Sequence, residues 1–151
     1  GCSSYLVDIG GEIKAGGSNL KGESWRIGIE KASLDIGRGL VSVLLLRDMG
    51  IATSGDYRNF RLSGGEKVSH IIDPRSGEPV KNGVISVTVA DKSTMRADAL
   101  ATAFMVMGEE ESIAFAEEND IPVFLIRKKS TGEVIERYTS AMTNLFLMDP
   151  D

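Results

Sequence analysis

The sequence predicts an α+β fold with a largely antiparallel or mixed sheet and helices packed against it. Strand-like segments separated by glycine-containing turns occupy most of the first ninety residues, whereas the helical segments lie together between residues 94 and 119. A length of 151 residues suits one domain, residues 1–151, that is large enough to bury a core. The hydrophobic content of 42% is typical of globular proteins.

Charge and cysteine content exclude several kinds of site. The net charge is −5, and no basic cluster is larger than residues 127–129, so a nucleic-acid partner is not expected. Cys2 is the single cysteine, which excludes an internal disulfide and a cysteine-based metal cage. No apolar run approaches the roughly 20 residues that a membrane-spanning helix needs. The composition leaves the cellular compartment open.

The first half of the chain is predicted to be mostly strands. Gly10 and Gly11 turn the chain between the first two, and Ser54, Gly55 and Asp56 are expected to form a turn. Residues 63–66 suit a hairpin turn that leads into the strand over 67–72, and Pro74 ends that strand. Alternation of apolar with polar or small residues predicts a half-buried strand over 85–89. The predicted strands are residues 5–9, 12–15, 25–29, 41–46, 51–53, 57–62, 67–72 and 85–89.

The second half is predicted to begin with two helices. Ser93 or Thr94 can cap a helix over residues 97–107, and Gly108 can end it. Three consecutive glutamates suit the start of a second helix, which ends near Asn119. Later segments are a strand over 123–126, a hairpin through 130–132, a strand over 134–138, and a terminal strand or docking tail over 142–148.

Asp98 and Thr102 are the two polar residues in the otherwise apolar stretch from residue 97 to 107, which predicts a buried helix. At positions i and i+4 they share one helix face, with Cβ atoms about 5–6 Å apart. A buried carboxylate needs a partner, and Mg²⁺ would suit a carboxylate beside a hydroxyl. Alternatively, Asp98 lies in the first helical turn, where the helix dipole favours an acid, and Thr102 bonds back to a carbonyl.

Three other segments contain candidate binding or catalytic residues, and each of them also has a purely structural explanation. His70 stands where a predicted strand meets a rigid turn, and can be a general base, a hydrogen-bond donor, or an imidazole held by a backbone carbonyl. The turn at Ser54 and Gly55 can bind phosphate through backbone amides or be a simple turn. Gly10 and Gly11 allow a ligand close to the backbone, or simply make a hairpin.

Five segments, in order, carry a family resemblance: YLVDIGGEI at 5–13, WRIGI at 25–29, IATSGDY at 51–57, SHIIDPRSG at 69–77 and ADALATA at 97–103. Together they resemble the ApbE-type FAD:protein FMN transferases, or flavin transferases. The resemblance implies a T-fold-like α+β architecture with FAD as substrate and Mg²⁺ as cofactor. It also implies transfer of FMN from FAD to a threonine hydroxyl of an acceptor flavoprotein, with release of AMP.

Site residues follow from matching these motifs. The resemblance implies that Asp98 and Thr102 are metal ligands, that the backbone of Ile72 meets the flavin, and that His70 is important for transfer. His70 would take the threonine proton or steady a phosphate oxygen. Two further cofactor contacts are expected, at the Gly10–Gly11 and Ser54–Gly55 pairs.

The resemblance further implies that this chain is the C-terminal half of a longer protein. The other half, on the same chain or a second one, would complete the adenine and flavin pocket and add a metal ligand. The family suggests a bacterial periplasmic or cell-envelope lipoprotein, with the cytoplasm as an alternative. Two other functions remain open: an FAD pyrophosphatase that gives FMN and AMP, and a non-catalytic flavin-binding or scaffold module.

Overall fold

A computed structural model describes residues 1–30, 39–55, 60–63 and 66–147, and for 60–63 and 66–68 it describes the backbone alone. The strands are β1 (Tyr5–Ile9), β2 (Glu12–Gly16), β3 (Trp25–Glu30), β4 (Leu40–Leu46), β5 (Gly50–Gly55), β6 (Phe60–Ser63), β7 (Glu66–Ser69), β8 (Val84–Asp91), β9 (Val123–Lys128) and β10 (Val134–Tyr138). The helices are α1 (Thr94–Met107), α2 (Glu109–Glu118) and α3 (Ser140–Thr143).

One six-stranded sheet organises the described residues. Its strand order is β1-β2-β5-β8-β9-β10, and each neighbouring pair is antiparallel. The hairpins β3-β4 and β6-β7 form separate two-stranded sheets. The predicted α+β class with a mostly antiparallel sheet is therefore confirmed.

The middle strands of the six-stranded sheet, β8 and β9, are buried on both faces. On one face, Val123 and Leu125 of β9 pack in a core that includes Phe104 of α1. On the other face, Phe124 and Ile126 share a second core with Leu44, Leu46 and Ile27 of the β3-β4 hairpin. Because both faces are covered, β9 is a continuous apolar run rather than an alternating one.

Strand β8 differs from its predicted half-buried form. Ser86 and Thr88, which alternation would place on a solvent face, are 4% and 1% exposed, because the hairpin β3-β4 covers that face. A β-bulge shifts the register between Val84 and Ser86. As a result, Ile85 packs in the hairpin-side core, on the other face of the sheet from Val87. A two-residue period cannot reveal such a bulge.

Helix α1 has the predicted ends but not the predicted burial. Ser93 is its N-cap and accepts a hydrogen bond from the Arg96 amide at 3.4 Å, and Gly108, with φ of 87°, ends it. Its buried residues are confined to one stripe: Ala97, Ala101, Phe104 and Met105. The expectation that Asp98 and Thr102 are buried is therefore wrong. The apolar residues beside them, Ala99 and Ala103, are small and remain exposed.

Helix α2 and the β9-β10 hairpin agree with the sequence prediction, but two segments near the site do not. The turn expected at Ser54 and Gly55 is wrong, since both lie in β5 and pair with Val87 and Ser86. The strand expected over 67–72 ends at Ser69. Asp56, residues 57–59 of another predicted strand, and Gly64 and Gly65 of the predicted hairpin turn lie outside the described residues.

The C-terminal segment is a docking tail rather than a strand. Met142 of α3 is fully buried, and Phe146 forms an isolated bridge with Leu44. Residue 148 of the predicted segment lies beyond the described range. None of the described helices has the length and apolar character needed to cross a membrane.

Replacement of Phe104 by alanine tests the helix-side core. Phe104 is fully buried, and its ring meets that of Phe115 edge to face at 6.1 Å. We expect Phe104→Ala to lower the free energy of unfolding by about 3–5 kcal/mol, because it removes a large side chain from a packed core. Urea denaturation measures the change. Phe115→Ala is the control, since Phe115 is 43% exposed and should cost much less. Equal losses would contradict the core assignment.

Candidate functional site

A cavity of about 660 Å³ opens where the ladder between β2 and β5 stops. These strands pair at Lys14 with Gly50 and at Ile13 with Ile51. Residues beyond that point on both strands line the cavity, together with parts of β1, β3 and α1. All eight residues singled out from the sequence line it: Gly10, Gly11, Ser54, Gly55, His70, Ile72, Asp98 and Thr102. Their assigned roles stay predictions.

Asp98 and Thr102 lie one turn apart on the exposed face of α1 and both border the cavity. Within the described part of the chain, the Asp98 carboxylate has no hydrogen-bond or ion-pair partner. The first turn of α1 contains no acidic residue, so the helix-dipole explanation for Asp98 is wrong. Because Asp98 is exposed, water can solvate its carboxylate, and no counter-charge is required. Asp98 is available to a ligand because it borders the cavity.

The Thr102 hydroxyl contacts a strand. Its Oγ1 lies 2.8 Å from Oγ of Ser54 on β5. This contact replaces the back-bond to a carbonyl that the sequence left open as an alternative. A second hydroxyl pair, Thr53 and Thr88, spans β5 and β8 at 2.8 Å and also lines the cavity.

The cavity lining is acidic. Asp8, Glu12, Glu30 and Asp98 contribute carboxylates, and no lysine or arginine of the described residues lines the cavity. A phosphorylated ligand placed here would meet like charge, which a bound cation would offset. The acidity of Asp8, Glu12 and Glu30 was missed at the sequence level. For Asp8 a signal existed, because an aspartate two residues before Gly-Gly suits a side-chain-capped turn.

The turn between β1 and β2 forms one wall. Oδ1 of Asp8 accepts a hydrogen bond from the Gly11 amide at 3.0 Å. Gly10 and Gly11 have φ of 72° and 109°, in the left-handed region that a side chain would make costly. The glycines thus serve the hairpin, and they also leave backbone without side chains at the cavity wall.

The donor chemistry fits a hard cation. No group of three or more histidine, cysteine, aspartate or glutamate side chains in the described ranges could hold a metal ion. Asp98 and Thr102 together offer carboxylate and hydroxyl oxygens. Mg²⁺ takes one or two protein carboxylates and fills its octahedron with water and phosphate oxygens, whereas a closed zinc site needs about four protein ligands.

The main-chain N–H and C=O of Ile72 point away from Pro79, the residue with which it forms a bridge. It forms an isolated antiparallel bridge with Pro79, flanked by hydrogen bonds from the Asp73 amide to the Glu78 carbonyl at 2.9 Å and from the Val80 amide to the Ile71 carbonyl at 3.0 Å. Ile72 is thus the non-hydrogen-bonded member of the bridge, and its N–H and C=O point outward. Neither group has a hydrogen-bond partner among the described residues.

Asp73 and Arg75 hold the turn that follows Ile72. The Arg75 guanidinium donates to both carboxylate oxygens of Asp73, and the Arg75 amide donates to Asp73 Oδ1 at 2.9 Å. These contacts keep the pKa of Asp73 below its ordinary value, side-chain hydrogen bonding being the largest cause. Arg75 also reaches the Val106 carbonyl at 3.5 Å, which ties the turn to α1.

His70 is exposed and lies directly after β7, two residues before Ile72. It lines the same cavity as Asp98 and Thr102. An imidazole at the rim of an acidic cavity is placed to exchange protons with a molecule that enters from solvent.

Known proteins match most of the chain. The model of the ApbE family matches residues 1–125. The FAD:protein FMN transferase of Vibrio cholerae serotype O1 is 50% identical over 147 residues, which is 97% of this chain and 43% of that protein. The protein of the same name from Escherichia coli K12 is 34% identical over 148 residues, 98% of this chain and 41% of its own length.

Solved structures share the fold. The flavin transferase ApbE from Vibrio cholerae superposes with a TM-score of 0.80 at 47% identity, over 95% of this chain and 44% of that chain. The apo form of the Pseudomonas stutzeri flavinyl transferase ApbE gives a TM-score of 0.79 at 43% identity, with the same coverage. The chain thus spans less than half the length of these relatives. The family match, which agrees with the sequence motifs and is supported by the shared fold, shows that this chain belongs to the ApbE family.

Proposed function

We propose that this chain forms the metal- and flavin-binding part of a Mg²⁺-dependent enzyme that moves the FMN half of FAD to a threonine hydroxyl of an acceptor flavoprotein, releasing AMP. One observation carries the proposal: the residues assigned from the sequence meet at one acidic cavity, where the Asp98 carboxylate stands one turn from Thr102 and has no partner among the described residues. The names of the relatives support the same activity. We place residues 1–151 as one domain, the C-terminal half of the complete protein.

Asp98 and Thr102 would hold the metal. Mg²⁺ bound there would neutralise charge on the FAD diphosphate and on the departing AMP, which is what phosphoryl-type transfer chiefly requires. The acidic lining, Asp8, Glu12 and Glu30 included, would by itself repel the diphosphate. The side chains of this chain therefore make FAD binding at this cavity dependent on a cation.

Main-chain groups would bind the flavin. The outward N–H and C=O of Ile72 offer one donor and one acceptor to the polar edge of the isoalloxazine ring. Gly10 and Gly11 leave room for close approach of the ligand. Ser54 and Gly55 contribute from the edge of β5 that β2 does not pair, which takes the place of the phosphate-binding turn predicted from the sequence.

His70 would serve as the proton acceptor. It is exposed at the cavity rim, where a threonine on another protein can reach it. By taking the hydroxyl proton as the oxygen attacks phosphorus, the imidazole would prevent charge from accumulating on the nucleophile. The same position also suits a hydrogen bond from a protonated imidazole to a phosphate oxygen.

The complete site needs more polypeptide than this chain supplies. The family resemblance implies a further protein ligand to the metal and an adenine pocket, and both would come from the missing half or from a second chain. The greater length of the relatives supports this part of the proposal.

A transfer assay tests the proposal. The protein as its gene encodes it is incubated with FAD, Mg²⁺ and a threonine-bearing acceptor flavoprotein, and flavin fluorescence is read on the denatured acceptor. We expect covalent fluorescence and one AMP per modified acceptor, and neither with an acceptor in which valine replaces the threonine. Free FMN with an unmodified acceptor would indicate an FAD pyrophosphatase. FAD binding without AMP release would indicate a non-catalytic module.

Replacement of Asp98 by alanine tests the metal assignment. We expect Asp98→Ala to lower Mg²⁺-stimulated turnover by about 100-fold or more, because the metal's charge stabilisation is worth several kcal/mol and Asp98 is its charged protein ligand. Rates measured across a Mg²⁺ titration give the result. Glu110→Ala, an exposed carboxylate on α2, is the matched control. An unchanged Mg²⁺ dependence in Asp98→Ala would remove the basis for the site.

Replacement of His70 tests its role in proton transfer. We expect His70→Ala to lower kcat by about 10²–10⁴-fold with a small change in KM for FAD, since general base catalysis contributes about that factor. Added imidazole should restore part of the rate, which a merely structural histidine would not allow. Normal kcat with weakened FAD binding would instead make His70 a binding residue.

A further inference from the structure

We infer that Ser54 is a positioning residue of the metal site: its Oγ accepts a hydrogen bond from the Thr102 hydroxyl, which leaves a lone pair of Thr102 Oγ1 facing the cation. This inference rests on the proposed function, in which Thr102 is a metal ligand. The observation behind it is the 2.8 Å contact between Ser54 Oγ and Thr102 Oγ1, which joins β5 to α1 at the cavity.

The chemistry of a hydroxyl ligand makes such a partner useful. A hydroxyl has one proton and two lone pairs, and a cation must meet a lone pair. The proton must then point elsewhere, at an acceptor that is fixed in space. Among the described residues, Ser54 Oγ is the hydrogen-bond partner of Thr102 Oγ1.

The position of Ser54 is fixed by the sheet. Ser54 pairs with Val87 in the ladder between β5 and β8. Helix α1 is seated on the same sheet through fully buried Ala101, the neighbour of Thr102, in a core that includes Ala52. Both hydroxyls are therefore carried by elements that do not shift relative to one another without disturbing a packed core.

Without Ser54 the Thr102 side chain has a competing arrangement. A helical threonine can rotate to donate to the carbonyl four residues earlier, which here belongs to Asp98. That rotation would turn the hydroxyl oxygen toward the helix backbone and away from the cavity. The Ser54 contact selects against it.

Stability does not explain the pair. Ser54 is half-buried and Thr102 is exposed, so water would satisfy either hydroxyl if its partner were lost. The Thr53 and Thr88 pair differs, because Thr88 is 1% exposed and needs its protein partner. Loss of the Ser54 hydroxyl should therefore alter metal binding far more than folding.

Mn²⁺ binding tests the inference. In the protein as its gene encodes it, at saturating FAD, Mn²⁺ replaces Mg²⁺, and the electron paramagnetic resonance signal of free Mn²⁺ gives the dissociation constant. We expect Ser54→Ala to weaken Mn²⁺ binding about tenfold, the usual scale for loss of a group that orients a ligand, with an unchanged thermal midpoint. Ser54→Thr, which keeps a hydroxyl, should restore most of the affinity. Ser130→Ala, in the exposed turn between β9 and β10, is the control.

A double-mutant cycle separates positioning from direct binding. If Ser54 acts through Thr102, Ser54→Ala should have no further effect on Mn²⁺ affinity in a Thr102→Val background. Additive losses, or unchanged affinity in Ser54→Ala while Asp98→Ala is impaired, would overturn the inference and leave the proposed site intact. Absence of Mn²⁺ binding in the unaltered protein, or normal binding in Asp98→Ala, would overturn both.

Discussion

Close packing of α1 on the central sheet is the constraint on which the candidate site depends. Ala97 and Ala101 are fully buried against a core that contains Ala52, and their small size lets the helix approach the strands. Gly50 is required for the same reason, since a Cβ there would lie 2.7 Å from the Thr94 Cα. Because the face of α1 that carries Ala97 and Ala101 must lie against the sheet, the rotation of the helix about its axis is fixed as well. Asp98 and Thr102 then face the cavity.

The sheet is covered on both faces in its middle, yet it splits between two of its strands. Hairpin β3-β4 closes one face, and the helices close the other, so β9 in the middle of the sheet is apolar from Val123 to Ile126. The six-stranded sheet nevertheless opens between β2 and β5 after two residue pairs. The cavity is thus made by strands that stop pairing, which leaves main-chain groups at its walls.

Much of this organisation is visible in the sequence, and the parts that are not have physical causes. The helix caps at Ser93 and Gly108 depend on neighbouring residues, so local patterns reveal them. The burial of Ser86 and Thr88 depends on a hairpin that is distant in sequence. The exposure of Asp98 could not be read from its neighbours either, because alanines serve equally at buried and exposed helix positions.

The candidate site, like the fold, could be predicted from the sequence only in part. Shared motifs identified residues that the fold does bring to one cavity, but the acidity of its walls comes from Asp8, Glu12 and Glu30, on three different strands. The outward main chain of Ile72 has a further consequence. A contact made through N–H and C=O depends on where the backbone runs rather than on the side chain attached to it. Under the proposed function, the amino acid at position 72 could therefore change during evolution without loss of the flavin contact, and such a contact would leave little trace in the genes of related organisms.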